Sequence, residues 1–255
     1  MTAATTATSN LKRILVLGGN GYVGQNICHA ALQSKTFKVR SLNRSGGPSS
    51  PPAHLATSLS QVEWVKGDVF DRTARDDAMS EVDVVVSCIG AFGSNDFMER
   101  ICGDATIEAI RNAKERGVAR FGFISSAQVY EGSAGLNLHK SMPMHGYFQG
   151  KNRAEKELFH TYPEGHVILR PGFIYGPRNV GQLGELPLQM IGAPISFVAT
   201  QMGPLSGLIQ SIPFVGKECS SMVPVESVGK AMIDSISDGT ENGIILDADK
   251  IRSFS

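Results

Sequence analysis

The chain has 255 residues and is 42% hydrophobic, long and apolar enough to bury one sizeable core within a single α/β domain. Its 24 basic residues balance 24 acidic ones, so no overall field draws it to nucleic acid or anionic lipid, and non-specific nucleic-acid binding is not expected. Four scattered cysteines, Cys28, Cys88, Cys102 and Cys219, lack the paired spacing of a zinc site or a redox dithiol and read as free thiols in a reducing compartment.

Residues 1–10 are an Ala/Thr/Ser tract with no arginine and no apolar run, neither a signal peptide nor a complete transit peptide. They read as a disordered leader or the stub of a cleaved one, ahead of one domain spanning 11–255. Lys12 to Leu17 reads as a buried strand, and the helical spacing of Val23, Ile27, Ala30 and Ala31 predicts the helix after it. Phe37 to Leu42 is a second strand, the Gly/Pro/Ser-rich run Ser45 to Ser60 a loop, and Val62 to Lys66 a third strand. Val82 to Ser87 is almost continuously β-branched, as a strand buried on both faces should be, and Phe121 to Ser125 repeats that character. Ile101 to Arg116 between them is helical and ends at Gly117, and a helix around Tyr147 to His160 leads to a sixth strand, His166 to Leu169. Strands alternating with helices predict right-handed crossovers and a doubly wound parallel sheet of Rossmann type, with helices on both faces.

After Arg170 the alternation stops. Glu185 to Lys217 has no charge between its ends, but Pro187, Pro194, Pro204 and Pro213 interrupt it, which argues against a transmembrane helix. Residues 171–225 are therefore expected to form a small apolar lobe on the substrate or partner side. Within it, Pro187 to Val215 points to a lipophilic substrate, a membrane surface or a protein partner; a lid over the domain's own core is the alternative. A helix from Val225 to Ser235 and a strand from Gly243 to Leu246 close the chain. Six dispersed histidines, with His139 and His145 flanking the loop before Tyr147, show no metal-ligand spacing.

Gly18, Gly21 and Gly24 follow a strand and open a helix. The first glycine makes the tight turn, the second admits the pyrophosphate of a dinucleotide, and the third lets helix and strand pack closely. Asn20, Tyr22 and Val23 complete the turn, whose amides and helix dipole favour phosphate. Where an acidic residue would bind the ribose hydroxyls of NAD, the sequence has Asn43, Arg44 and Ser45, and Arg44 suits the 2′-phosphate of NADP, with NAD the alternative. Asp68, followed by Val69, either lies beside the adenine or caps the next helix, and Ile89, Gly90 and Ala91 leave the fourth strand beside the cofactor.

Tyr147 and Lys151 are four apart on one helix face. A nearby ammonium favours the phenolate and moves a tyrosine from its ordinary value of about 10 toward the working range. Ser126, at the end of the fifth strand, can donate to a substrate carbonyl. Gly150 costs about 1 kcal/mol in a helix interior, which predicts a close backbone approach there.

The turn at 18–24, the run Ser125-Ser126-Ala127-Gln128-Val129-Tyr130, the Tyr147 and Lys151 pair, and Arg170-Pro171-Gly172-Phe173-Ile174-Tyr175-Gly176-Pro177 together resemble the extended and atypical short-chain dehydrogenase/reductases. Gly146 to Lys151 and Ile212 to Gly216 resemble an organellar branch that includes plant plastid proteins and a fungal mitochondrial protein linked to coenzyme Q synthesis. A more distant similarity is to the Rossmann accessory subunit of respiratory NADH dehydrogenase. The resemblance implies catalytic positions at Ser126, Tyr147 and Lys151, a cofactor contact at Lys151 and Pro171, and an organellar location in mitochondrion or plastid. It also leaves two functions open. One is an NAD(P)-dependent oxidoreductase acting on a lipophilic carbonyl or quinone-like compound; the other is a silent dinucleotide-binding subunit of an organellar membrane complex.

Overall fold

The computed structural model describes residues 11–129, 144–179, 185–186, 222–239 and 242–254. Along the first strand, β1 (Lys12–Leu17), Ile14 and Val16 join the core on one side of the sheet while Leu15 and Leu17 join the core on the other. All four are fully buried, because helices cover both faces.

The other strands of this sheet are β2 (Phe37–Asn43), β3 (Glu63–Lys66), β4 (Val84–Ser87), β5 (Arg120–Ile124), β6 (His166–Arg170) and β7 (Ile244–Asp247). Their order is β7-β6-β5-β4-β1-β2-β3, and every pairing is parallel. The expected doubly wound Rossmann sheet is what forms. Helices α1 (Tyr22–Gln33), α2 (Ala53–Leu59) and α7 (Val225–Ser237) cover one face through Ile27, Ala31, Leu55, Leu59, Met232 and Ile236. Helices α3 (Arg72–Ala78), α5 (Ala105–Glu115) and α6 (His145–Thr161) cover the other through Ala78, Ile110, Ala113, Ala154 and Leu158. A short α4 (Asn95–Glu99) precedes α5, and α8 (Ala248–Arg252) ends the chain.

Three local expectations are corrected. The run Ser45 to Ser60, read as a loop, contains α2. Pro52 stands at its N-cap, where a proline's fixed φ helps a helix start, and Leu55 and Leu59 bury one face. The helix expected from Ile101 begins at Asn95 instead and passes through a π-helical turn, Arg100–Asp104, before α5. Asp71, not Asp68, caps α3, accepting from the Thr73 amide at 2.9 Å.

Among the described residues no helix is long and apolar enough to cross a membrane. The leader at 1–10, the loop carrying Tyr130 and His139, and the apolar stretch Pro187 to Val215 lie outside the described residues, as does most of the lobe expected at 171–225.

Candidate functional site

Strand order reverses between β1 and β4, and the crevice at their carboxyl ends is where a ligand of such a sheet binds. Gly18 leaves β1 at φ +81°, a left-handed conformation that a side chain would strain, and a Cβ there would lie 3.5 Å from the Cys88 carbonyl at the end of β4. The Gly21 amide returns to the Gly18 carbonyl at 3.0 Å, closing the turn. A Cβ on Gly24 would land on the Gly18 carbonyl oxygen and 2.6 Å from the Gly19 Cα, so α1 meets the turn only through a glycine.

A polar web from β2 holds the turn in shape. The Gly19 amide donates to Ser41 Oγ at 3.1 Å, the Asn20 amide to Asn43 Oδ1 at 3.0 Å, and the Asn20 side-chain amide to Ser45 Oγ at 2.8 Å. Ser41 is fully buried and donates in turn to the Val16 carbonyl at 2.7 Å. Sequence reasoning missed Ser41 and the bracing role of Asn43; the available signal was two polar residues within a strand otherwise set for burial.

The α1 N-terminus has no side-chain cap and no acidic residue in its first turn, so its dipole and orphan amides face the crevice with no anion of the protein's own. Asn20, Gly21, Tyr22 and Ser45 line a cleft of about 380 Å³ there, together with Gly47, Pro48, Ser49, Ser50 and Pro52. Arg44 is exposed beside it and makes no ion pair among the described residues. Asp68 is exposed and accepts from the Phe70 amide at 2.9 Å, while Val69 and Ile89 pack against the core under α3 and α5.

The second half of the site is on α6. Its Gly150 meets the π-helical turn backbone to backbone: a Cβ would lie 2.8 Å from the Gly103 nitrogen and 2.9 Å from the Glu99 carbonyl oxygen. The close approach expected at Gly150 is therefore present. It seats Lys151 deep in the molecule, 3% exposed, with Nζ donating to the Ile124 carbonyl at the end of β5 at 2.5 Å. The same ammonium lies 4.8 Å from the Phe123 ring centroid and 5.4 Å from that of Tyr147.

Ser126, just past β5, is buried, and its hydroxyl donates to Gln128 Oε1. The Ala127 amide donates to the Pro171 carbonyl at 2.8 Å, joining the segments that leave β5 and β6. Tyr147 is partly buried, stacked on Phe92 with centroids 5.5 Å apart and edge-on to Phe148 at 5.3 Å. One expectation fails here. Burial pushes the Tyr147 phenol up from its ordinary value and holds the Lys151 ammonium below its own, so desolvation outweighs the attraction expected to favour the phenolate.

Residues 18–187, most of the chain, match the family described as NAD(P)H-binding. The chain belongs to the NAD(P)H-binding family. An uncharacterized chloroplastic protein of Arabidopsis thaliana is 38% identical over 233 residues, 91% of this chain and 74% of that one. A mitochondrial protein of Coccidioides immitis is 25% identical over 189 residues, covering 69% of this chain and 72% of its own. The crystal structure of UDP-glucuronic acid 4-epimerase from Bacillus cereus in complex with NAD superimposes with a TM-score of 0.60 at 18% identity, covering 92% of this chain and 77% of that chain. The resemblance read from the sequence, to an NAD(P)-binding Rossmann family with plant plastid and fungal mitochondrial members, thus stands.

The site's own residues fit an NAD(P)H-binding protein. Gly24 sits where any Cβ would close the turn, and α1 presents amides without a competing carboxylate. Both features suit a pyrophosphate against the backbone.

Proposed function

We propose that this protein is an NADP-dependent oxidoreductase of the short-chain dehydrogenase/reductase type that reduces a lipophilic carbonyl or quinone-like compound, with Tyr147 as proton donor. The observation that carries the reading is Lys151. An ammonium buried on α6 and tied to the Ile124 carbonyl, in reach of the Tyr147 ring, is costly for the fold and useful for a charge-developing reaction.

Bound in the crevice, a reduced nicotinamide supplies the hydride that a carbonyl carbon accepts. The protein's part is the proton. Burial keeps the Tyr147 phenol protonated well above neutrality, so it is ready to donate to the carbonyl oxygen. The phenolate left behind is then stabilised by the Lys151 ammonium, while Ser126 donates a hydrogen bond to the same substrate oxygen. Gly18, Asn20, Gly21, Tyr22, Val23 and Gly24 hold the pyrophosphate, and Ile89, Gly90, Ala91 and Pro171 line the nicotinamide end. Asp68 and Val69 flank the adenine, and Arg44 with Ser45 takes the 2′-phosphate; the exposed guanidinium of Arg44, without an ion pair among the described residues, supports NADP over NAD. The chloroplastic and mitochondrial relatives support an organellar location.

The test is hydride transfer from NADPH to a panel of quinones and lipophilic aldehydes, followed at 340 nm, with Tyr147→Phe beside the wild type. Transfer that is lost in Tyr147→Phe while NADPH affinity persists supports the reading. Tight NADPH binding with no transfer to any acceptor overturns it, and the nucleotide then becomes a structural ligand of an organellar assembly.

A further inference from the structure

Phe92 is 64% exposed, the most exposed large apolar side chain among the described residues. Its ring is nonetheless held, lying within 15° of parallel to the Tyr147 ring with centroids 5.5 Å apart. Two rings in contact are separated by about 3.6 Å along their normal, so this pair is offset sideways by about 4 Å, as aromatic pairs prefer. Phe92 therefore lies beside the phenol rather than squarely over it, and much of its ring is open.

Other features make this a wall rather than a stray side chain. Phe92 follows Ile89, Gly90 and Ala91 on the loop leaving β4, the strand end that approaches the Gly18 turn. Further along, Phe97 is 40% exposed, and its ring lies against Gly93, where a Cβ would be 2.9 Å from Phe97 Cδ1. Tyr147 has a second aromatic neighbour on its own helix, the edge of Phe148 at 5.3 Å. An exposed aromatic rim, kept next to a phenol and costing apolar exposure, points to a ligand that covers it.

We propose that Phe92 is the specificity-determining wall of the substrate pocket and that it selects a flat conjugated ring bearing the carbonyl. This rests on the oxidoreductase reading above. A planar ring stacks on the open part of Phe92 beside the phenol, with its carbonyl edge toward the Tyr147 hydroxyl. A polyol or a short hydrated ketone gains nothing from that face.

Two α-diketones of different flatness test it: 9,10-phenanthrenequinone and butane-2,3-dione, each reduced by the full-length protein with NADPH. Phe92→Ala is expected to raise KM for phenanthrenequinone about 3- to 10-fold, the worth of an aromatic pair, with kcat changed less and with KM for butanedione moving less than twofold. Phe92→Tyr is expected to keep the wild-type preference, and Phe92→Leu, apolar but without a π face, to lose most of it. Equal changes for both diketones in Phe92→Ala, or none, overturn the proposal. A second measurement is independent of turnover: the fluorescence of 9-phenanthrol titrated with each variant. Affinity at least threefold weaker in Phe92→Ala supports the wall, and unchanged affinity overturns it. If neither diketone is reduced by the wild type while phenanthrol binding still depends on Phe92, the oxidoreductase reading fails and the wall stands.

Discussion

Gly150→Ala tests whether α6 is held to the π-helical turn by backbone contact. The added Cβ would meet the Gly103 nitrogen at 2.8 Å, the Glu99 carbonyl oxygen at 2.9 Å and the Cys102 carbonyl carbon at 3.2 Å, all backbone atoms with no flexible end to swing away. Ordinary carbon contacts begin near 3.5 Å, so α6 must retreat by roughly half an ångström along a face that also carries Lys151. Two effects oppose each other. Alanine gains about 1 kcal/mol in helix propensity over glycine, while overpacking a tight interior contact costs about 1–3 kcal/mol. The contact outweighs propensity, with a net loss of up to about 2 kcal/mol by urea denaturation. Retreat of α6 also lengthens the bond from Lys151 Nζ to the Ile124 carbonyl, so kcat with an active carbonyl is expected to fall further than stability alone explains. A variant more stable than wild type by about 1 kcal/mol would mean propensity decides and the two backbones are not pressed together.

Three further outcomes are expected. Arg44→Ala weakens NADPH binding about tenfold and leaves NADH nearly untouched, read by fluorescence titration; equal losses for both nucleotides would remove Arg44 from the 2′-phosphate. Glu155 holds Arg170 through two bonds, 3.1 and 2.6 Å, with Glu155 only 3% and Arg170 13% exposed, so Glu155→Ala takes the carboxylate from a largely buried guanidinium and costs about 3 kcal/mol in chemical denaturation. Arg116, with help from the Asn112 amide, holds the Asp76 carboxyl down at about 2, so its stabilisation is present above the ordinary carboxylate value near 3.9 and is lost as pH falls through about 2; Asp76→Asn should flatten stability across that window.

What could be read from residues alone follows from how many causes each feature has. β1 was legible to both ends because a central parallel strand is apolar on both faces. The turn glycines were legible because each answers one steric demand. Helix α2 was not, since Pro52 breaks a helix from inside but starts one from its N-terminus, and composition does not distinguish the two. Strand β4 begins at Val84, two residues later than the β-branched run implies; at Asp83 the chain joins β1, its amide donating to the Arg13 carbonyl and its carboxylate accepting from the Arg13 amide. At the site, spacing put Tyr147 and Lys151 on one face but carried no information about what lies opposite. The Ile124 carbonyl and Phe123 ring around Lys151, and the burial of the Tyr147 phenol beside Phe92 and Phe148, are tertiary facts, and that burial reversed the direction inferred for the phenol. The π-helical turn, too, leaves no periodic signature; Gly103 within it acquires meaning only against Gly150.

Lys151 then poses a question that stability alone does not answer. Among the described residues its ammonium is buried against the Ile124 carbonyl and the Phe123 and Tyr147 rings, with Cys102 and Cys88 near it, and Glu155, whose charge also favours it, is committed to Arg170. A buried charge with so little compensation costs several kcal/mol, and methionine would fill the same space beside Phe123 without that cost. Lys151→Met is therefore expected to stabilise the fold by about 1–3 kcal/mol. Because burial lowers the Lys151 pKa, the folded protein binds fewer protons than the unfolded chain between that lowered value and the ordinary lysine value of about 10.4, and wild-type stability rises with pH across the interval. The methionine variant should lose that slope together with hydride transfer. Urea midpoints measured from pH 7 to 10 would read both effects. A variant that is less stable than wild type at pH 7 would make the bond to Ile124 a structural tie. Gained stability with lost transfer would mean that the lysine is kept, against the interest of the fold, for the proton it helps Tyr147 to give.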